Sequence, residues 1–169
     1  MDNKEFVEFI KKYGDIRPVQ EAFEKYPVEE EEHKGKLESY LKVAEDTAIY
    51  NNPYKIGDIV YVKNFIYEDG RKGKNHLFVI IGEENIAVSI DYFGMLISSK
   101  IYKQKYKENK LLIKDEENKL NVDSIVKTDV VYKIEIEEIV CKIGQVDDEK
   151  IEEYKESHYE ILKRRGKLS

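Results

Sequence analysis

Residues 54–62 of this chain, YKIGDIVYV, open a series of short apolar segments that decides the fold class. A loop rich in glycine and positive charge, residues 71–74 (RKGK), leads into residues 75–81 (NHLFVII). Turn signals such as residues 82–85 (GEEN) separate the apolar segments, and this alternation is typical of short β-strands. The predicted strands are 59–65, 77–81, 86–90, 95–99, 111–113, 122–126, 130–134 and 139–143. Their spacing predicts a small barrel or a strongly curved sheet.

Helical patterns flank the strands on both sides. Asp2 is predicted to cap a first helix that Gly14 ends, and a second short helix is predicted within residues 15–26. A third helix is predicted over about residues 29–50. Asp147 or Asp148 is predicted to cap a last helix with one apolar face. The chain is therefore predicted to be α+β, with a helical N-terminal extension (1–52) and a barrel domain with a C-terminal helix (53–169).

The composition indicates a soluble protein of one domain with an appendage. The chain has 169 residues, of which 38% are charged, and no apolar run approaches the ~18–20 residues of a membrane span. The N-terminus is charged and lacks the apolar stretch of a signal peptide, so we expect a cytoplasmic protein without a membrane partner. The single cysteine, Cys141, lies in an apolar strand and is expected to be a buried, reduced thiol.

The net charge of −6 is unevenly distributed along the chain. Residues 1–50 carry 13 acidic and 8 basic side chains, a net −5, whereas residues 51–146 carry 15 of each. Residues 147–169 carry 7 acidic and 6 basic side chains, a net −1. The central domain is thus neutral with local basic clusters, which leaves nucleic-acid binding open.

The order of the central segments resembles the MazF/PemK (Kid-like) toxins over roughly residues 54–160. Residues 54–62, the basic loop before 75–81, residues 96–100 (LISSK) and residues 123–126 (DSIV) carry the resemblance. The resemblance implies an SH3-like barrel that dimerises and cuts single-stranded RNA without a metal. In such toxins the ribose 2′-hydroxyl attacks the phosphate and leaves a cyclic phosphate and a 5′-hydroxyl. A cognate antitoxin with an acidic tail is the implied protein partner.

Two positions of the family's proposed active site have counterparts in this chain. The family has an Arg-Pro pair before its second strand, where this chain has His76-Leu77. The family's Thr or Ser after an Ile corresponds to Ser98, which is a conservative match. A histidine can accept or donate a proton near neutral pH, which an arginine cannot readily do. We therefore predict His76 as the acid or base, Arg71 as the phosphate clamp and Ser98 as a donor to the phosphate oxygen.

Residues 100–107, KIYKQKYK, are the strongest nucleic-acid signal in the chain. Its four lysines suit phosphates, and its two tyrosines suit stacking on unpaired bases. The predicted RNA-binding residues are Lys72, Lys74, Asn75, Ser99, Lys100, Tyr102, Lys103, Lys105, Tyr106, Tyr61 and Asn64. The three histidines are far apart and lack neighbouring ligands at metal-binding spacing, so no metal or cofactor is expected.

Other interpretations stay open at this point. His76 can be a strand-edge histidine with local partners, Ser98 an ordinary strand residue, Arg71 a solvated charge and Tyr61 a core residue. The chain can then be a catalytically inactive barrel that binds RNA or protein, or a toxin of the same fold that inhibits DNA gyrase. The acidic residues 1–50 either pack as a helical decoration, extend the dimer interface or cover the basic face as a built-in inhibitor.

Overall fold

A computed structural model describes residues 1–25, 54–63, 75–86, 89–101 and 108–168. These residues form a mixed α+β fold in which helices pack on both faces of one eight-stranded sheet. The predicted third helix and the basic loop before residue 75 lie outside the described residues.

The first 25 residues form an arm made of helix α1 (Asn3–Tyr13), strand β1 (Ile16–Pro18) and helix α2 (Gln20–Lys25). The predicted cap is confirmed, since the Asp2 carboxylate accepts a hydrogen bond of 2.8 Å from the Glu5 amide. The second predicted helix is shorter than expected because Ile16–Pro18 pair in parallel with a later strand. Pro18 is tolerated in β1 because β1 lies at the edge of the sheet, where a strand residue can lack an amide hydrogen.

The other strands of the sheet are β2 (Asp58–Lys63), β3 (Asn75–Ile86), β4 (Ser89–Ser98), β5 (Asn109–Leu112), β6 (Ser124–Lys127), β7 (Val131–Glu135) and β8 (Ile139–Gln145). The sheet has the strand order β1-β7-β4-β3-β2-β8, and β6 pairs with both β4 and β5. The long strand β4 pairs with β7 through residues 91–94 and with β6 through residues 97–98, which is where the sheet branches. Within the described strands the sheet is open, and the SH3-like barrel stays a prediction.

The central hairpin differs from the sequence prediction. The structure has two long strands, β3 and β4, where the sequence predicted three short ones at 77–81, 86–90 and 95–99. Residues 82–85 continue β3 instead of forming a turn. A bulge between Ile80 and Gly82 accommodates the glycine. The Asn3 amide group also binds both backbone groups of Glu83 at 2.9 Å, so α1 holds the segment in place. Tertiary pairing has overridden a local turn composition.

Different elements pack against the two faces of the central strands. The helix-packed face, with Tyr61, Leu77, Val79, Met95 and Ile97, packs against α1 and the C-terminal helix α3 (Asp148–Arg164). The opposite face includes Val60, Val62, Phe78, Ile80 and Leu96 and packs against Val19, Ala22 and Phe23. We call it the His76 face, because His76 lies two residues before Phe78 and side chains alternate along a strand.

The C-terminal helix follows the sequence prediction closely. The Asp147 carboxylate caps α3 by accepting a 2.9 Å hydrogen bond from the Lys150 amide. The predicted apolar face is buried: Ile151, Tyr154, His158, Ile161 and Leu162. Among the helices described, none has the length and apolar character that crossing a membrane requires.

Candidate functional site

His76 and Ser98 lie at corresponding positions of neighbouring antiparallel strands. Leu77 of β3 pairs with Ile97 of β4. Continued by one residue, this register sets His76 opposite Ser98. Directly opposite residues of an antiparallel pair share a face, with Cβ atoms about 4.5–5.5 Å apart. By this continuation, the two residues that the sequence separates by 22 positions are expected to be cross-strand neighbours on the His76 face.

The His76 imidazole is covered by aromatic rings. It is 9% exposed, its centroid lies 4.8 Å from the Phe23 ring of α2, and the Phe78 ring meets it edge-on at 6.4 Å. Phe23 is itself 7% exposed. The ring of α2 thus packs against the imidazole, a contact that the sequence alone did not indicate.

Ser98 ends β4 in a local hydrogen-bonded turn. Its hydroxyl oxygen accepts a 3.2 Å hydrogen bond from the Lys100 amide. Ser98 and Ser99 are both buried, and Lys100 is half-buried. The turn brings the start of the Lys/Tyr segment next to Ser98, and residues 102–107 lie outside the described part of the chain.

Residues 55–161, more than half of the chain, match the family of PemK-like, MazF-like toxins of type II toxin-antitoxin systems. The chain belongs to this toxin family. Membership confirms the resemblance read from the sequence, supports a toxin role and implies an antitoxin as partner. No curated protein shows significant similarity to the chain.

The matched toxin region begins after the N-terminal arm. Helix α1, strand β1 and helix α2 all end before residue 26, so Phe23 comes from outside the part that defines the family. His76 and Ser98 lie inside that part. The contact between Phe23 and His76 therefore joins the matched toxin region to the arm that precedes it.

Tyr61 is not brought together with His76 and Ser98. Its ring is 8% exposed and belongs to the helix-packed face, with Leu77 and Cys141 as its strand partners. Burial also raises the pKa of the Cys141 thiol to about 11, which suits the reduced core cysteine that the sequence predicts. Both residues occupy core positions in the structure.

Several predicted site residues lie outside the described residues. They are Arg71, Lys72, Lys74, Asn64, Tyr102, Lys103, Lys105 and Tyr106. Asn75 begins β3 and pairs with Lys63, and its side chain is not described. Within the described ranges, no group of three or more His, Cys, Asp or Glu side chains has the proximity that a metal ion needs.

The structure adds two polar residues that the sequence prediction missed, Lys127 and Asn109. Ser98 pairs with Ile125, and Lys127 follows two residues later on β6, so it shares the face of Ser98. Asn109 of β5 pairs with Lys127. Both side chains are buried, which is uncommon for lysine. Only strand register connects these residues to Ser98, so composition gave no signal for them.

Proposed function

We propose that this protein is the toxin of a toxin-antitoxin pair and a metal-independent endoribonuclease that cuts single-stranded RNA. The observation that supports the proposal is the pairing of Leu77 with Ile97 in the toxin region, since continuing this register by one residue brings His76 opposite Ser98. Cytoplasmic location, a homodimer and a cognate antitoxin complete the proposal, as expected for the family.

The proposed reaction is an internal transfer at one phosphodiester. The 2′-oxygen forms a bond to phosphorus while the bond from phosphorus to the 5′-oxygen breaks. A base removes the 2′-hydroxyl proton, and an acid returns a proton to the leaving 5′-oxygen, so the products are a 2′,3′-cyclic phosphate and a 5′-hydroxyl. His76 is assigned one of these proton transfers, which contribute about 10²–10⁴-fold in rate.

The remaining groups stabilise the phosphorane. Ser98 donates its hydroxyl hydrogen to a non-bridging oxygen, and Arg71 neutralises charge as a bidentate partner. Lys127 would add a second positive charge on the face of Ser98. The segment 100–107 would hold the RNA through its lysines and tyrosines, together with Lys72, Lys74 and Asn75 from the preceding loop.

A binding function without chemistry is the second candidate. The specific observation in its favour is the 9% exposure of His76 beneath Phe23, because a proton-transfer group must reach its substrate. In that case the chain binds RNA or protein through the same face and cuts nothing.

Incubation of single-stranded RNA with the pure protein in EDTA separates the two candidates. The nuclease predicts fragments with 2′,3′-cyclic ends, reduced about 10²-fold or more in His76→Ala and Ser98→Ala. Ser124→Ala is the matched control, since Ser124 is also a buried strand serine and donates to the Val122 carbonyl at 3.0 Å. Intact RNA that is retained by the protein supports the binding module and overturns the nuclease. Intact RNA with arrested supercoiling points to gyrase inhibition.

A further inference from the structure

We propose that helix α2 is an intramolecular cap that closes the His76 face to RNA, and that the toxin acts when this cap is released. The inference rests on the proposed function, since it concerns the regulation of the same site. It assigns a role to the arm that precedes the matched toxin region.

The described contact surface of the cap is apolar. Val19, Ala22 and Phe23 are buried against the cluster that includes Val62 and Phe78. The Phe23 ring covers the His76 imidazole at 4.8 Å. Substrate cannot meet the imidazole from this side while the ring stays in place.

The base of the cap is anchored by strand pairing, and among the described residues the start of the cap makes two polar contacts, one of them between Arg17 and Glu21 at 3.2 Å. Strand β1 pairs with Val131–Lys133 of β7, and the Val19 amide extends the pairing by donating to the Lys133 carbonyl at 3.2 Å. The Gln20 amide donates to the Glu138 carboxylate at 3.0 Å. Helix α2 as a whole has six residues, fewer than the ~12–15 that an isolated helix needs for marginal stability. Local opening of such a segment costs less than global unfolding.

The charge of the cap opposes RNA. Helix α2 contains Glu21, which is ion-paired with Arg17 at 3.2 Å, and Glu24 with one lysine, so it carries a net charge of −1. A negative segment over a phosphate-binding face repels a polyanion in addition to excluding it by volume. The cap therefore blocks both the imidazole and the approach to it.

The magnitude of the regulation follows from the open population. A minor conformer is commonly populated at about 0.1–10%, and apparent activity is reduced by that fraction. Removing the cap is therefore expected to raise RNA turnover by about tenfold or more.

The test compares Phe23→Ala with Phe9→Ala in the full chain. Phe9 is an arm phenylalanine whose ring contacts Tyr13 at 5.5 Å and Tyr159 at 5.6 Å, on the side of α1 and α3. Two quantities are measured: the rate of RNA cleavage, and the rate at which diethyl pyrocarbonate modifies His76, located by peptide mass spectrometry. His158, which is fully buried, is the internal reference. Ala22→Asp is a second release variant that keeps the Phe23 ring and places a charge in the same contact.

The expected result is faster modification of His76 and faster cleavage in both release variants, with Phe9→Ala like the wild type. Faster modification without cleavage in any variant supports the cap and overturns the nuclease. Equal modification rates in the wild type and both release variants overturn the cap, whatever the cleavage assay shows. Faster modification with an unchanged, measurable cleavage rate also overturns the cap as a regulator.

Discussion

The two faces of the central strands differ in what covers them. The helix-packed face is closed by α1, with 11 residues, and α3, with 17, and its central strands contribute apolar side chains and Cys141. The His76 face holds a histidine, a serine, a lysine and an asparagine, and one described helix of six residues lies over it. Both faces bury an apolar cluster, so the polar side chains beside its cluster, and not a lack of core, distinguish the His76 face.

The largest expected effect comes from the same substitution, phenylalanine to alanine, made once on each face. Phe6→Ala removes a buried ring between α1 and α3 and should lower the free energy of unfolding by about 3–5 kcal/mol. Phe23→Ala should cost less than half as much, because α2 can detach locally without opening the sheet. Urea denaturation of both variants measures the difference. Equal losses would mean that α2 is as integral to the fold as α1.

The next effect tests the close approach of strand β8 to residues 117–118. A Cβ on Gly144 would meet the backbone of Asn118 and lie 2.7 Å from the Glu117 carbonyl oxygen, so Gly144→Ala should destabilise by about 1–3 kcal/mol. Gly82→Ala is the matched strand glycine, since its nearest contact is Val7 at 3.4 Å. Thermal unfolding of the pair should show the larger drop for Gly144→Ala, and the reverse order would contradict this packing.

Acid should weaken the helix-packed side through His158. Burial lowers the pKa of His158, although the Thr128 carbonyl and the Asp129 and Asp15 carboxylates oppose that shift. The unfolded state therefore binds a proton that the folded state excludes. This contribution to stability is complete above the ordinary histidine pKa of ~6.5 and falls as the pH drops below it. His158→Gln should show a smaller loss of melting temperature between about pH 7.5 and 5.5. An unchanged pH dependence would exclude His158 as its source.

The smallest effect concerns the exposed ion pair between α1 and β3. The Lys11 ammonium lies 3.0 Å from the Glu84 carboxylate and is half exposed. Such surface pairs contribute about 0.2–1 kcal/mol and are screened by salt. Lys11→Ala should therefore change unfolding only slightly, and the change should vanish at 1 M NaCl. A larger, salt-independent loss would show that packing of the lysine stem matters more than its charge.

The sequence was sufficient where local chemistry decides structure. The caps at Asp2 and Asp147, the apolar face of the last helix and the strands from β5 to β8 are confirmed by the structure. It was insufficient where distant contacts decide. Residues 82–85 have a turn composition, yet pairing with β4 and the Asn3 amide keep them extended. Ile16–Pro18 became a strand because β7 lies beside them.

The same distinction applies to the candidate site. Ser98 and His76 were predicted from motif order, and their shared face follows from continuing the β3–β4 register. Lys127, Asn109 and the covering Phe23 could not be found that way, because no local pattern marks a residue that becomes a neighbour through strand pairing. The assigned roles of all these residues remain proposals, which the RNA assay and the cap variants address.

The parallel pairing of β1 with β7 has a consequence for the order in which the chain assembles. Ile16 pairs with Val131. The arm is therefore synthesised early, but its partner strand β7 follows only after more than a hundred further residues. Contacts of such sequence separation form late, because closing the intervening loop costs entropy first. We therefore expect a nascent chain to complete its β2–β4 hairpins with the imidazole still open to water, and to cover it only at the final stage of folding.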